Sequence, residues 1–448
     1  MPVTRRPPGP PGRLLVGSLP EFARDLLGFF TACARQYGDV VSMRLGRRLA
    51  YLISSPALVE AVLVTDHRNF VKHSFFWRHV EAIFGRGLLT SEGDFWLRQR
   101  RLMAPAFHHE RIQAYGQVMV DRAERMLGGW REGEIRDLHP DMMRLTLEIV
   151  AKALFDAEVT ADVDEVGEAL DTGLQEVAAR FRRPFGIPDW IPTPGNRRYR
   201  RAVARLEAVV YRIIAEHRAR GDGGGDLLAG LMRVRDEAGR GMSERQLRDE
   251  SITLLLAGHE TTALALSWTW YLLARHPDVD RTLAAELERT LAGRPPSLGD
   301  LAALRYTEAV VLESMRLFPP AYAFGREAVA DCELGGYPVP AGTTLFMSPW
   351  VMHRDPRFYD EPERFAPERW LDGLADRLPR FAYLPFGGGP RICIGNRFAM
   401  MEAVLILATV ARRFRLELAP ECAPTPFPTI TLRPSGGVPL RLARRRAA

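Results

Sequence analysis

The sequence predicts a mainly α fold with a small β-rich lobe. Apolar residues recur at helical spacing over most of the chain, the pattern of helices that each pack one face on a core. Strand signals, alternation with β-branched residues between turn-forming Gly and Pro, are confined to about 38–56, 325–350 and 425–445. One helix, after Ser243, is predicted to run about twice the mean length and to be apolar nearly all round. Hydrophobic residues make up 46% and charged residues 26% of the 448, which supports a large core and excludes a disordered chain.

From the N-terminus, residues 1–12 are expected to be flexible, with Pro7–Gly12 extended and polar-facing. Prolines interrupt this end early and no apolar run approaches about 18 residues, so neither a signal peptide nor a membrane span is predicted. "GDVVSMRLGRRLAYLISSP" reads as a hairpin. "DVDEVGEALDTGLQEVAARF" and "RAVARLEAVVYRIIAEHRAR" read as amphipathic helices, and "GDGGGD", Gly221 to Asp226, as a flexible connector. Ser243 and Gln246 form a capping-box start for the long helix, with Met242 placed as a staple, and Pro277 ends it. "CELGGYPVPAGTTLFMSP" and "TITLRPSGGVPLRLA" read as further strands, so the β-rich lobe is expected to be built from both ends of the chain. Length alone suggests two or three domains, yet no repeat and no separating linker is present.

The net charge of +6 is carried almost wholly by arginine, Lys72 and Lys152 being the only lysines. No basic block alternates with aromatics, so a nucleic-acid surface is not indicated, while a basic face for an acidic protein partner is compatible with it. Cys33, Cys332, Cys393 and Cys422 are far apart and form no C-x-x-C pair, which argues against a disulfide framework or a cysteine-rich zinc site and fits a reducing compartment.

The middle of the long helix is "AGHETT", Ala257 to Thr262. Gly258 weakens a helix by about 1 kcal/mol relative to Ala. Thr261 and Thr262 can bond back to carbonyls a turn earlier. Glu260 is a charge on an apolar background, costly if unpaired. Either the helix is merely distorted with Glu260 leaning to water, or small Ala257 and Gly258 open a groove beside an acid and a hydroxyl that relay protons. "ESMR" places Glu313 and Arg316 on one helix face inside an apolar stretch, so the pair needs a further group, and Arg369 of "FAPERW" is the candidate. "WLRQR" sets Trp96 and Arg100 one turn apart, where an indole N–H and a guanidinium can face one anion.

In "FGGGPRICIGNRF", Cys393 sits between a glycine run and a predicted helix start, which favours a thiolate. The glycines allow positive φ and close approach of a flat group, Arg391 offers a donor to an anion, and Phe386 can shield the sulfur. A small buried thiol is one reading. A nucleophile needs a base, and His108 and His109 are not evidently tied to it. A thiolate on haem iron accounts for the glycines, the Phe and the Arg together.

This combination resembles the cytochrome P-450 family, the haem-thiolate monooxygenases. The Phe-x-x-Gly-x-Arg-x-Cys-x-Gly signature is met at Phe386, Gly389, Arg391, Cys393 and Gly395. The small-Gly-x-acid-Thr pattern is met at Ala257, Gly258, Glu260 and Thr261. Glu313, Arg316 and Arg369 match the family's charge cluster, and Trp96 with Arg100 its Trp-x-x-x-Arg pair. The resemblance implies one domain over 1–448, with haem b between the long helix and the cysteine-loop helix, ligated axially by the Cys393 thiolate. Trp96, Arg100 and the strand residue Arg326 would hold its propionates, with Ala257, Gly258, Phe386, Arg391 and Gly395 also at the cofactor. Thr261 and Glu260 would be the catalytic pair. The implied reaction uses O2 and hydroxylates or epoxidises a hydrophobic small molecule of terpenoid, fatty acid, steroid or polyketide class, in secondary metabolism. No flavin- or nucleotide-binding segment is read in the chain, so electrons are expected from a ferredoxin or flavodoxin with its NAD(P)H reductase. Arg98, Arg101, Arg397, Arg412 and Arg413 are candidates for the docking face. By family position the pocket draws on 75–89, 176–192, Leu254–Thr262, Pro319–Phe324 and Pro428–Ile430, with Arg182 and Arg183 as conceivable anchors for a carboxylate. A bacterial, cytoplasmic monomer is expected. The alternatives are a peroxide-using or isomerising haem-thiolate enzyme, and a haem protein that binds or senses without turnover.

Overall fold

The helix after Ser243 runs Glu244–Arg275 in the computed structural model. Its start is the expected capping box: the Gln246 N–H donates to Ser243 Oγ at 3.2 Å, and the Ser243 N–H to Gln246 Oε1 at 2.8 Å. Pro277 cannot continue the hydrogen bonding and instead opens the next helix, Pro277–Leu291. The structure describes residues 6–72, 80–81, 83–158, 163–181, 190–220, 226–235 and 239–445. Gly221 to Gly225 of the connector, and Arg182 and Arg183, lie outside them, as do parts of the expected pocket segments 75–89 and 176–192. Among the described residues no helix is long and apolar enough to cross a membrane.

The chain gathers into two units. The first comprises Met1–Arg78, Met315–Phe365 and Asp372–Cys393. Its main sheet runs, in spatial order, Val40–Leu45, Arg48–Ile53, Thr344–Met347, Phe324–Ala328 and Phe70–Val71. The first two strands form the predicted hairpin, with Leu45 opposite Arg48 and Gly46 supplying the positive φ of a two-residue turn. Alternate side chains enter different cores. Tyr51 and Ile53 pack with Val62, Leu63 and Phe381, whereas Ala50 and Leu52 pack with Phe30, Val41 and Met43. Cys332–Leu334 and Tyr337–Val339 make a separate hairpin. Pro7–Gly12 is not polar-facing throughout, because Pro7 is buried and the Pro8 carbonyl accepts the Ser42 N–H at 2.8 Å.

The second unit comprises His79–Ser314, Ala366–Leu371 and Ile394–Ala448. Leu138–Phe155 packs along Glu244–Arg275, and His109–Gly128 packs against Asn396–Ala411. Here the structure corrects the expected lobe. The tail strands do not join the N-terminal hairpin. Phe414–Leu418 and Pro439–Arg444 form a sheet with Ile135–Asp137, and Thr425–Pro428 pairs with Leu432–Ser435. Alternation reveals that a strand exists but not its partner, and these partners are fixed by tertiary contacts such as Trp268 Nε1 donating to the Leu432 carbonyl at 2.9 Å.

Among the described residues, buried histidines weaken this fold in acid, and His353 and His259 are the most strongly shifted of them. In the first unit, His353 Nε2 accepts the Leu384 N–H at 3.0 Å, which requires a neutral ring. Burial, then the Arg316 and Arg354 guanidiniums, hold it down to about 3. In the second unit, burial and then Arg433 hold His259 down to about 3. Both lie below the ~6.5 of an exposed histidine, so the unfolded chain binds more protons in acid. Their contribution to stability is therefore full above pH ~6.5 and is lost below it, at about 1.4 kcal/mol per pH unit for each histidine. Thermal unfolding should show a melting temperature that falls from pH 6.5 to 5, and less steeply in His353→Gln, which keeps an acceptor without titrating. A wild-type melting temperature unchanged from pH 7 to 5 would exclude this account.

Candidate active site

The cysteine loop belongs to the first unit. Its Cys393 N–H donates to the Phe386 carbonyl at 3.0 Å, closing the segment on itself. Gly387 and Gly389 take φ of +69° and +65°, and Gly389–Arg391 forms a short helical turn. Two of the three glycines serve the protein's own packing. A Cβ at Gly388 would lie 2.1 Å from the Phe381 ring, and one at Gly389 would lie 1.9 Å from the Leu63 carbonyl oxygen. At Gly387 nothing lies within 4 Å of such a Cβ. The sequence reading gave the whole run to clearance for a flat ligand; packing accounts for Gly388 and Gly389. The Cys393 side chain is presented at an exposed position. Cys33, by contrast, is buried, and burial raises its thiol to about 11.

The AGHETT turn belongs to the second unit. Between Leu247 and Trp270 the helix is buried except at Ala257, Gly258 and Thr261. Ala257 and Thr261 share one face, and Thr261 Oγ1 donates to the Ala257 carbonyl at 2.8 Å. Gly258 does not widen this face as expected. A Cβ there would meet Val150 at 2.9 Å, so the glycine admits the neighbouring helix Leu138–Phe155.

Glu260 is buried and neither leans to water nor stands unpaired. Its Oε1 accepts from Arg433 Nη2 at 2.5 Å, Arg433 Nε at 2.8 Å and Thr431 Oγ1 at 2.9 Å. Arg433 Nη1 also donates to Asp171 at 2.7 Å, and the Asp171 side chain is 48% exposed. A line of charge therefore runs from the surface to the turn that bears Thr261. Sequence reading missed Arg433, Thr431 and Asp171. The only signal was an arginine in a β-alternating tail, with nothing to tie it to a helix far earlier in the chain.

The other expected residues fall as follows. In the second unit, Glu313 accepts from Arg369 Nε at 3.0 Å, from the Ala366 N–H at 3.0 Å and from Trp370 Nε1 at 2.9 Å. Arg369 is thus the predicted third group, and Trp370 an unpredicted fourth. In the first unit, Arg316 donates to the carbonyls of Pro362, His353 and Arg364 at 2.6, 2.8 and 2.9 Å, which fixes the irregular segment 353–364. Arg326 is buried and donates to the Gly325 carbonyl at 2.9 Å. Trp96 and Arg100 lie half-buried one turn apart on Gly93–Met103. Of the arginines expected to dock a partner, Arg412 and Arg413 both pair with Glu124, and Arg98 donates to the Arg240 carbonyl. Arg101 and Arg397 are exposed.

The first unit carries residue types that fit an iron porphyrin: one presented thiol on a loop with an open glycine, which suits a soft thiolate bond to iron, and Arg326 and Arg391, a donor type that binds carboxylates. Within the second unit, Trp96 and Arg100 are carboxylate-binding donor types as well.

Comparison with known proteins agrees. Residues 7–439 match the family model described as Cytochrome P450. The chain is 40% identical over 393 residues to cyclooctat-9-en-7-ol 5-monooxygenase of Streptomyces melanosporofaciens, covering 87% of this chain and 85% of the relative. It is 39% identical over 426 residues to cyclooctatin synthase of the same organism, covering 94% and 92%. It is 34% identical over 432 residues to pentalenene oxygenase of Streptomyces avermitilis, covering 96% of each. The chain therefore belongs to the cytochrome P450 family, the monooxygenases that carry haem on a cysteine thiolate.

Proposed function

We propose that this monooxygenase hydroxylates or epoxidises a cyclic terpenoid, in secondary metabolism. The observation that carries the reading is the single open face on an otherwise buried helix, bearing Ala257 and Thr261 next to the charge-paired Glu260. The relatives supply the substrate class, being named for cyclooctat-9-en-7-ol and pentalenene. The expected pocket segments Leu254–Thr262 and Pro319–Phe324 are largely apolar and aromatic, which suits such a skeleton.

Haem held by the Cys393 thiolate would supply reductive O2 activation, the thiolate favouring O–O cleavage. Trp96, Arg100, Arg326 and Arg391 would be the donors to its propionates, and Phe386 would shield the sulfur. Thr261 directs its hydroxyl from the Ala257 carbonyl to the reacting side. Glu260 is the proton donor to it, drawing on solvent. At rest Arg433 and Thr431 grip its carboxylate. Asp171 competes for Arg433, so transfer of the guanidinium to Asp171 frees Glu260 to carry a proton inward.

The test combines binding and turnover. A cyclic terpene or terpene alcohol should shift the holoenzyme from low to high spin, and fatty acids should not. With that compound, Thr261→Ala should still consume NAD(P)H but release peroxide, its product yield falling by about 100-fold. Unchanged product per NAD(P)H in this variant would remove the role of Thr261. Turnover with peroxide alone, or binding with no turnover, would point to the alternatives.

Arg433 has a separate signature. Without it Glu260 is a buried charge lacking its cation, a loss of about 3 kcal/mol or more. Arg433→Met should lower the melting temperature, and adding Glu260→Gln should restore most of it. Equal melting of Arg433→Met and wild type is the result that would contradict the pairing.

Electrons come from a ferredoxin or flavodoxin with its NAD(P)H reductase, to a cytoplasmic monomer. Arg101 and Arg397 are the exposed cations proposed to meet the acidic partner. Reduction by a ferredoxin should slow steeply with ionic strength, and Arg397→Glu should flatten that dependence. A rate indifferent to salt would end the docking proposal.

A further inference from the structure

The open face of Glu244–Arg275 begins where another segment of the same unit ends. Glu250 lies seven residues before Ala257 and eleven before Thr261. At 3.6 residues per turn the three share one face, about 10 and about 16 Å apart along the axis. Ala257 and Thr261 are open, but Glu250 is 1% exposed. Segment 84–90, which reads FGRGLLT, lies against it.

The contact is made by carboxylates on backbone donors. The Leu88 N–H donates to Glu250 Oε2 at 2.8 Å, and the Arg86 N–H to Asp249 Oδ2 at 2.9 Å. Glycines permit the approach. A Cβ at Gly85 would lie 2.1 Å from Asp249 Oδ1, and one at Gly87 would lie 2.2 Å from Thr253 Oγ1. The segment is also closed on itself, since Thr90 Oγ1 donates to the Gly85 carbonyl at 2.6 Å and the Thr90 N–H to the Gly87 carbonyl at 3.1 Å. On its other side the Arg86 guanidinium lies over the Phe95 ring, 5.2 Å from the centroid. A segment closed in this way is held as a unit, so two carboxylates suffice to place it. Two adjacent buried acids repel if both are charged. Arg248 pairs with Asp249 at 2.7 Å and with Glu207 at 2.6 Å, whereas among the described residues no cation acts on Glu250. Burial raises Glu250 to about 8, against the pull of the Leu88 N–H and with the help of Asp249. At neutral pH it therefore accepts from Leu88 as an uncharged acid, and the two acids hold the segment without repulsion.

We propose that Asp249 and Glu250 are positioning residues that determine specificity: they clamp segment 84–90 across the N-terminal end of the open face, where it is the end wall of the substrate pocket and limits the length of the substrate. Thr261 stands towards one end of that face and the clamped segment at the other. This rests on the reading of Ala257 and Thr261 as the reacting face.

Hydrogen exchange and a chain-length series, both on the holoenzyme, test the two halves. In Asp249→Ala and in Glu250→Ala the amides of 84–90 should exchange about tenfold faster than in wild type. Glu250→Gln, which still accepts from Leu88, should keep the wild-type protection. 1-Alkylimidazoles ligate haem iron and extend their chains into the pocket, so the optical shift reports affinity against chain length. In wild type each added methylene should tighten binding about fourfold up to a limit, beyond which binding weakens. Asp249 is turned about 100° round the helix from Glu250, so Asp249→Ala removes a clamp without adding room at the face. Its limit should move to longer chains, the first chain beyond the wild-type limit binding about fourfold more tightly to the variant than to wild type. Glu250→Gln should keep the wild-type limit. Gly87→Ala displaces the segment from Thr253 and alters neither acid, so it should shift the limit in the same way and decides the matter even if Asp249→Ala does not fold. Wild-type exchange in both alanine variants of the acids would overturn the clamp. A wild-type limit in Asp249→Ala or in Gly87→Ala would overturn the wall. Full product yield in Thr261→Ala with fast exchange in Glu250→Ala would remove the reacting-face reading and leave the clamp standing.

Discussion

A carboxylate in the middle of a buried helix is the constraint from which much of the second unit follows. Glu260 cannot remain charged there without a cation, and its own helix offers none nearby. Arg433 must therefore be brought from the tail, and Leu432–Ser435 is the strand that carries it. Thr431, just before that strand, adds a second donor, and Trp268 fixes the same strand through the Leu432 carbonyl. The pairing also shapes its neighbours. Arg433 helps to keep His259 neutral, adding to the effect of burial. A buried acid thus dictates where a hairpin lies, and the cation it draws in bears on the protonation state of a nearby ring.

The first unit is governed by close approach rather than by charge. Gly388 and Gly389 let the Phe381 ring and the Leu63 carbonyl come against the cysteine loop. Phe381 and Leu63 belong to the core beneath the mixed sheet. His353 then grips the loop's entrance through the Leu384 N–H, and Arg316 holds the carbonyls around His353 and Pro362. The loop's shape is thus set by backbone hydrogen bonds and ring contacts from below, and the Cys393 N–H bond to Phe386 closes it. Rigid presentation of a ligand atom calls for this kind of support, since a loop held only at its ends would not fix the sulfur.

How much was legible in the sequence depended on the range of the interaction. The capping box at Ser243 and the break at Pro277 are local, and both were read correctly. The hairpin around Gly46 was legible because its turn chemistry lies between its strands. Cys393, Glu260, Thr261 and the Glu313–Arg369 pair could be singled out because charge or polarity on an apolar background is conspicuous. What failed was assignment of partners. The tail strands were given to the wrong lobe, and Arg433 was not connected to Glu260, because a register between distant segments leaves no trace in local pattern. Glycines were over-assigned to function for the same reason. A Gly that admits Val150 and a Gly that admits a ligand look alike until the neighbouring helix is in place.

That distinction also sharpens what the AGHETT turn does. If Gly258 faced the open side, the turn would be a wide gap with a hydroxyl at its edge. Because Gly258 faces Val150, the open side is made by Ala257 and Thr261, with a polar atom at one end and a methyl at the other. Behind it the helix is locked, by Val150 against Gly258 on one side and by Arg433 on Glu260 on the other. The cost of burying Glu260 is offset by a cation that is itself held at both ends, Arg433 with Glu260 on one side and Asp171 on the other.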